Sequence, residues 1–192
     1  MEHGYDLVLI GGSAGSVEGV LKIIPALNND FSIPIVLVLH RSAYDSSGGF
    51  LEKILQNKTK LGIKEADEKE MILPHTVYVA PADYHLLIEH DHSISLDASE
   101  KIHFSRPSID VTFECAAGIY GQRLIGILLS GASTDGTGGI EEIYNAGGQT
   151  IAQKPETASS SLMPKSAINS GKVVMVMTIE QMVEWLNGLA MK

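Results

Sequence analysis

Two short, continuously apolar runs stand near the start of the chain, and each is followed by a segment with helical hydrophobic spacing. The runs are residues 7–10 and 35–39, and the helical segments are residues 17–27 and 50–56. Strands that lack polar alternation are typical of parallel sheets covered by helices on both faces. This pattern predicts a β-α-β-α order in which both runs are central strands of a parallel sheet.

The pattern changes between residues 62 and 96, where short strand-like runs are separated by turn residues. The runs are residues 76–80, 85–89 and 93–96. Short runs with close turns between them are typical of antiparallel hairpins. We therefore expect an antiparallel hairpin region near one edge of the sheet.

The alternation of strands and helices resumes in the second half of the chain. Its predicted elements are, in order, a helix over residues 109–120 that has Ser108 as its N-cap, a strand over 124–129, a helix over 138–145, strands over 150–152 and 173–177, and a last helix that begins with a capping box of Thr178 and Gln181. No internal repeat or long linker divides the sequence. We predict a single domain over residues 1–192, with an α/β fold of three layers, α/β/α, around a largely parallel sheet.

Composition and charge exclude several classes of protein. Hydrophobic residues make up 44% of the sequence and charged residues 19%, as in ordinary globular domains. A net charge of −9 disfavours nucleic acid as a partner, because such binding rests on Lys and Arg. The first apolar run is too short for a membrane span and no basic region precedes it, so we expect no membrane insertion and no secretion. The single Cys115 allows no internal disulfide, and the expected location is the reducing cytoplasm.

The first strand ends in the sequence Gly11-Gly12-Ser13-Ala14-Gly15 and runs into a helix. A dinucleotide-binding loop would need Gly at position 10 and an acidic residue after the next strand, where this chain has Ile10 and His40. The G-x-S-x-G pattern of a nucleophile elbow fits better, with the Ser13 hydroxyl exposed on a turn and the Ala14 amide near a developing oxyanion. A glycine-serine turn without a catalytic role would also fit this motif alone.

Two other polar residues follow strands at the same predicted edge of the sheet. His40 ends the second strand, and Asp135 is the carboxylate in the loop of residues 130–136. Because the carboxyl ends of parallel strands meet at one edge, His40 can act as the base for Ser13, and Asp135 can orient its imidazole. Alone, His40 fits a structural histidine and Asp135 fits an N-cap of the following helix. Together with Ser13, they predict a serine esterase that needs no cofactor and no metal.

The order Ser13, His40, Asp135 differs from that of the α/β-hydrolases, but the motifs resemble another family. The sequence is similar to the catalytic domain of the CheB-type chemotaxis protein-glutamate methylesterases along nearly its whole length. The matching segments are residues 10–15, 39–40, 73–81, 106–111, 130–136, 151–153 and 163–167. The resemblance implies a cytoplasmic hydrolase of signal transduction that removes methyl groups from glutamate on chemoreceptors, often with deamidation of receptor glutamine.

The chain departs from the family pattern close to the predicted triad. Ala14 stands where Thr is common, Arg41 and Ser42 replace Met-Pro, and Ala132 replaces a Met to which the family assigns a backbone role in the oxyanion site. We expect Ala14 and Ala132 to line the oxyanion and substrate site, where Ala132 keeps the amide and reshapes the pocket. These changes leave an alternative open, a catalytically silent binding module in a signalling pathway.

Three histidines lie close together in the hairpin region. His85, His90 and His92 lack accompanying cysteines and the regular spacing of metal ligands. We therefore expect a solvated turn at these positions and no metal.

The start of the chain bears on regulation. CheB-type enzymes usually carry a phosphorylated receiver domain ahead of the esterase, and here the first predicted strand begins by about Tyr5. These 192 residues thus leave no room for a receiver domain, unless they are part of a longer protein. The basal activity is expected not to respond to a phosphodonor.

Overall fold

A parallel sheet forms the centre of the molecule. The computed structural model describes residues 4–40, 49–102 and 104–189, and these residues form nine strands and six α-helices. The strands are β1 (Leu7–Gly12), β2 (Ile35–Leu39), β3 (Gly62–Glu65), β4 (Thr76–Val79), β5 (His85–Ile88), β6 (Ile94–Asp97), β7 (Leu124–Leu128), β8 (Gln149–Gln153) and β9 (Met175–Met177). The helices are α1 (Ser16–Ala26), α2 (Phe50–Gln56), α3 (Ile109–Tyr120), α4 (Thr137–Asn145), α5 (Leu162–Asn169) and α6 (Ile179–Leu189).

Seven of the strands form one sheet in the order β3-β4-β2-β1-β7-β8-β9, and every neighbouring pair is parallel. The central strands β1, β2 and β7 are buried along their whole length. Their continuous apolar sequences follow from this position, because both faces of each strand contact covering helices. The predicted parallel sheet is confirmed.

Helices cover both faces of the sheet. On one face α1, α2 and α6 share a buried core with Ile10 and Leu37, and on the other α3, α4 and α5 share one with Leu9 and Val38. Successive strand residues point to opposite faces, so each strand contributes to both cores. This is the predicted three-layer α/β/α architecture. Within the described ranges, no helix is long and apolar enough to cross a membrane.

The remaining strands, β5 and β6, form an antiparallel hairpin. Leu86, Ile88 and Ile94 of the hairpin belong to the same buried cluster as Phe113 of α3. One part of the hairpin prediction is wrong, because residues 76–80 do not belong to it. They supply β4, which lies between β2 and β3 in the parallel sheet, with Val77 and Val79 in one buried core and Tyr78 in the other.

The order in which the chain adds strands to the sheet changes side at β1. The strand order runs outward from β1 through β2 to β4 and β3, and the chain then returns to the other side of β1 with β7. Such a switch point leaves a crevice at the carboxyl ends of the central strands, where open α/β sheets bind their ligands. Ser13, His40 and the loop of residues 130–136 follow these three strands.

Candidate active site

Ser13 follows the last residue of β1, and hydrogen bonds on both sides fix the backbone there. The Ser13 N–H donates to the Ser130 carbonyl oxygen at 2.9 Å, and the His40 N–H donates to the Gly12 carbonyl oxygen at 3.0 Å. These bonds tie the segments that follow β2 and β7 to the end of β1. The three predicted site segments are therefore held together at one edge of the sheet.

The turn between β1 and α1 is tight and requires glycine at two positions. A Cβ atom on Gly12 would lie 2.3 Å from Ser16 Cβ, and Gly15 has a φ of 79°. Ser16 closes the turn, because its hydroxyl and its N–H both donate to the Ser13 carbonyl oxygen, at 2.6 and 3.0 Å. Ser13 is half-buried and lies between β1 and α1, in the strand-turn-helix context of a nucleophile elbow.

His40 and Asp135 form a hydrogen-bonded pair. His40 Nε2 lies 2.7 Å from Asp135 Oδ2, and the two side chains are 11% and 0% exposed. The other ring nitrogen, Nδ1, lies 3.2 Å from the hydroxyl of Ser105. Among the described residues, no hydrogen bond joins the Ser13 hydroxyl to the His40 ring. The hydrogen-bonded series in this structure is Ser105, His40, Asp135.

Asp135 is ionised, and its charge fixes the tautomer of His40. Burial opposes the charge. The carboxylate accepts hydrogen bonds of 2.7 to 3.0 Å from His40 Nε2, the Ser108 hydroxyl and the N–H groups of Ile109 and Asp110. These donors outweigh burial and lower the pKa of Asp135 to about 2. His40 Nε2 therefore carries the hydrogen, and Nδ1 has the free lone pair that can act as a base.

Ser105 lies in the loop between β6 and α3, and its hydroxyl contacts Nδ1 of His40. Because Nδ1 has no hydrogen in this tautomer, Ser105 donates and Nδ1 accepts. Backbone hydrogen bonds between Ile102 and Ser105 and guanidinium bonds from Arg106 to the carbonyl oxygens of residues 98–99 hold the loop. Sequence patterns do not reveal this contact, because it depends on how the loop crosses the end of the sheet.

Asp110 and Asp135 each cap a helix of the α3–α4 pair: Asp110 caps α4, and Asp135, which precedes α4, caps α3. Asp135 precedes α4 but accepts the N–H groups at the start of α3, so the N-cap interpretation named the wrong helix. Asp110, in the first turn of α3, accepts the N–H groups of Gly136 and Gly139 at the start of α4, at 2.9 and 2.7 Å. Burial raises the pKa of Asp110 to about 6; the Gly139 N–H opposes this rise and the charge of Asp135 adds to it.

The amide groups of Ala14 and Ala132 are the candidate donors to an oxyanion. Neither N–H has a partner among the described residues, whereas the neighbouring Gly131 N–H donates to the Ser160 carbonyl oxygen at 3.0 Å. Both alanines are exposed, one before α1 and one in the loop after β7. Free backbone amides near a nucleophile are the usual donors to a developing oxyanion. The predicted roles of Ala14 and Ala132 fit this arrangement and stay predictions.

A hydroxyl network supports the turn that carries Ser13. The Ser130 hydroxyl donates to the Ala14 carbonyl oxygen at 2.7 Å and accepts the Ser160 N–H at 2.8 Å. The Ser130 N–H donates to Gln153 Oε1 at 2.9 Å. Ser160 is thereby bonded to the segment after β7, and the Ser130 hydroxyl links that segment to the turn of Ser13.

The sequence also matches a known protein family. The model of the CheB methylesterase family covers residues 8–186. The chain belongs to the CheB methylesterase family. Its fold agrees with the crystal structure of the Thermotoga maritima CheB methylesterase catalytic domain, with a TM-score of 0.90 and 35% identity over 97% of this chain and 99% of that one. The predicted fold and the predicted class of enzyme, a carboxylic ester hydrolase, are confirmed.

Relatives of this CheB methylesterase chain carry names of the same activity. A Leptospira interrogans protein, named provisionally as a protein-glutamate methylesterase/protein-glutamine glutaminase, is 44% identical over 180 residues, which are 94% of this chain and 92% of the relative. A Carboxydothermus hydrogenoformans protein-glutamate methylesterase/protein-glutamine glutaminase is 37% identical over 192 residues, covering 95% of this chain. The match covers 55% of that second relative.

The structure brings the predicted acid and base of this methylesterase into contact and places the predicted nucleophile at the same sheet edge. Arg41 and Ser42, two of the departures from the family pattern, lie outside the described residues. Ser108 occupies the predicted N-cap position of α3, but its hydroxyl donates to Asp135 instead of capping the helix. Asp135 supplies the cap, because its loop reaches across from β7.

The expectation for the three hairpin histidines is wrong at one position. His85 is 1% exposed, and both of its ring nitrogens are hydrogen-bonded, because β5 packs against the start of α3. His90 is exposed, as expected. The His92 ring lies 5.0 Å from the Tyr120 ring, measured between centroids. In the part of the chain that the structure describes, no group of His, Cys, Asp and Glu is arranged to hold a metal ion.

Proposed function

We propose that this chain hydrolyses methyl esters of glutamate side chains on methylated chemoreceptors, with Ser13 as nucleophile, His40 as base and Asp135 as the residue that orients His40. The observation that carries the proposal is the 2.7 Å pair of His40 and Asp135, at the same sheet edge as the turn of Ser13. Family membership and the names of the relatives supply the reaction and the glutamate substrate. A cytoplasmic location is part of the proposal, since Cys115 is a free thiol.

The first half of the reaction transfers the acyl group to Ser13. The Ser13 oxygen attacks the ester carbonyl while its proton moves to His40 Nδ1, and the ionised Asp135 stabilises the resulting imidazolium. The Ala14 and Ala132 amides donate hydrogen bonds to the oxyanion. The bond to the methoxy oxygen then breaks, His40 gives its proton to that oxygen, and methanol leaves a glutamyl ester on Ser13.

The second half of the reaction returns the enzyme to its starting state. Water attacks the glutamyl ester as His40 takes a proton from it, and the bond to the Ser13 oxygen breaks when His40 protonates that oxygen. The products are a glutamate side chain and free Ser13. A glutamine side chain would follow the same steps with ammonia as the leaving group, which agrees with the glutaminase in the relatives' names.

Ser105 and Ser13 compete for one nitrogen in this scheme. Nδ1 has a single in-plane lone pair, and in the resting structure Ser105 donates to it. Before proton transfer the Ser105 hydroxyl must give way to that of Ser13. The exchange replaces one hydrogen bond by another, so its cost is at most about 1 kcal/mol.

Methanol release from a methylated receptor peptide tests the proposal, with Ser105→Ala as the matched control for Ser13→Ala. Ser13→Ala is expected to lower the rate by several orders of magnitude, leaving about 10³-fold over the uncatalysed reaction. Ser105→Ala is expected to change it by less than about tenfold, since one neutral hydrogen bond is removed. Full activity of Ser13→Ala, or loss only in Ser105→Ala, contradicts the proposal. Peptide binding by the wild type without methanol release would support the silent binding module.

A further inference from the structure

His85 is the first residue of β5, and its buried ring links the hairpin to the start of α3. Its Nδ1 lies 3.1 Å from the backbone nitrogen of Ser108, and its Nε2 lies 3.0 Å from the carbonyl oxygen of Glu100. A backbone N–H only donates and a carbonyl oxygen only accepts, so Nδ1 accepts and Nε2 donates. Both contacts are satisfied only by a neutral ring that carries its hydrogen on Nε2.

Protonation of His85 removes the contact with Ser108. An imidazolium carries hydrogen on both nitrogens, and its Nδ1–H would face the Ser108 N–H. Two donors cannot share a hydrogen bond, and a buried N–H without a partner is costly. The start of α3 must therefore move away from the ring when His85 takes up a proton.

The start of α3 also supplies most of the hydrogen bonds that hold Asp135. The Ser108 hydroxyl donates to Asp135 Oδ1 at 2.9 Å, and the Asp110 N–H donates to the same oxygen at 3.0 Å. The Ile109 N–H donates at 2.7 Å to Asp135 Oδ2, the oxygen that also binds His40. A shift of residues 108–110 therefore changes both the position of Asp135 and the stability of its charge.

We propose that neutral His85 is a positioning residue for Asp135, and that protonation of His85 releases Asp135 from its contact with His40 and lowers the activity of the site. The inference rests on the proposed function, because it assigns Asp135 to the catalytic site. According to this inference, the loss of activity at acid pH reports the protonation of two histidines. His40 must be neutral to accept a proton from Ser13, and His85 must be neutral to hold the start of α3.

Charged groups face His85 from each element packed against it. Asp97 of β6 is its cross-strand partner, and the positive charge of Arg106, in the following loop, acts on Asp97. On the α3 side, Asp135 and Asp110 lie beyond Ser108. The pKa of Asp110 is about 6, so this group titrates in the same pH range. A comparison between variants that all retain Asp110 isolates the contribution of His85.

The acid limb of the pH profile tests the inference with His85→Gln and the control His90→Gln. Glutamine can accept from Ser108 and donate to Glu100 but takes up no proton. His90 is an exposed histidine of the same hairpin. With p-nitrophenyl acetate as substrate, log kcat/KM below pH 7 is expected to fall more steeply in the wild type and in His90→Gln than in His85→Gln. The difference is one proton, or about tenfold per pH unit. Equal slopes in all three proteins overturn the inference.

Proton NMR gives a second readout that needs no turnover. The His40 Nε2–H bonded to Asp135 gives a downfield resonance, which is assigned by its absence in His40→Ala. On acidification it is expected to disappear at a higher pH in the wild type and His90→Gln than in His85→Gln. Loss at the same pH in all three contradicts the inference even if no ester is hydrolysed. If the resonance behaves as expected but the wild type hydrolyses no ester, the proposed function is contradicted and the inference about His85 stands. His85→Asn, with the same expected outcome, replaces His85→Gln if the latter does not fold.

Discussion

The position of the Ser13 hydroxyl depends on the absence of a side chain at Gly12. A Cβ atom on Gly12 would lie 2.3 Å from Ser16 Cβ and 2.7 Å from Ser16 Oγ. That hydroxyl closes the turn by donating to the Ser13 carbonyl oxygen. An added methyl group would therefore displace Ser16, open the turn and move Ser13 relative to His40.

Gly12→Ala is expected to lower both stability and esterase activity. Overpacking in a closed site costs about 1–3 kcal/mol in the free energy of unfolding, which urea denaturation measures. Gly188→Ala is the matched control, because a Cβ there meets nothing within 4 Å and the residue lies in α6. This control is expected to gain up to about 1 kcal/mol from helix propensity. A Gly12→Ala protein as stable and active as the wild type would show that the turn does not constrain Ser13.

At the scale of elements, two helices exchange their capping residues. Asp110 of α3 accepts N–H groups at the start of α4, and Asp135, just before α4, accepts N–H groups at the start of α3. Each carboxylate satisfies donors that a helix cannot satisfy internally, and each lies at the positive end of a helix dipole. The acid of the proposed triad is therefore also a structural residue at the junction of α3 and α4.

The two carboxylates respond oppositely to pH. The folded pKa of Asp110 is about 6, above the usual value near 3.8, so between these values the folded protein holds a proton that the unfolded chain has released. Ionisation of Asp110 thus lowers the free energy of unfolding as pH rises from about 4 to 6. The folded pKa of Asp135 is about 2, so its contribution is present above its unfolded value and is lost as pH falls through about 2.

Asp110→Asn is expected to be more stable than the wild type above pH 6 and equally stable below pH 4. The asparagine oxygen can still accept the N–H groups of Gly136 and Gly139, and the charge is removed. Solvent screening reduces the gain to the order of 1 kcal/mol. Urea denaturation at pH 4 and pH 7.5 measures it, with the exposed Glu156→Gln as a control of equal charge change. A stability difference that does not depend on pH would show that Asp110 does not titrate in this window.

At the scale of the whole molecule, the site uses the three central strands of the sheet. β1 lies between β2 and β7, and the segments after these strands carry Ser13, His40 and Asp135. These segments are far apart in sequence, and the parallel sheet brings them to one edge at its switch point. The neighbouring strands are buried on both faces, which gives the site a rigid support.

The sequence predicts those features that local patterns determine. Continuous apolar runs predict β1, β2 and β7, and Thr178 and Gln181 do form the predicted capping box, with hydrogen bonds of 2.9 and 3.3 Å. Residues 76–80 were harder to assign, because a short strand between turns gives no sign of the sheet it joins. The predicted contact of His40 with Asp135 is present in the structure.

Contacts that depend on the path of a loop could not be predicted from the sequence. Ser105 contacts His40 because the loop between β6 and α3 crosses the end of the sheet, and His85 contacts Ser108 because β5 packs against α3. No spacing rule connects residues of such different elements. The catalytic roles of Ser13, His40 and Asp135, and the oxyanion roles of Ala14 and Ala132, stay predictions.

Covalent labelling tests whether Ser13 is a nucleophile that His40 activates. A fluorophosphonate reacts with a serine that a neighbouring base activates, and peptide mass spectrometry then identifies the modified residue. We predict a single adduct on Ser13 in the wild type, no adduct in Ser13→Ala, and a rate of labelling in His40→Ala that is lower by several orders of magnitude. An adduct on Ser105 in the wild type, or a Ser13 adduct that forms equally fast in His40→Ala, would contradict the proposed roles of Ser13 and His40.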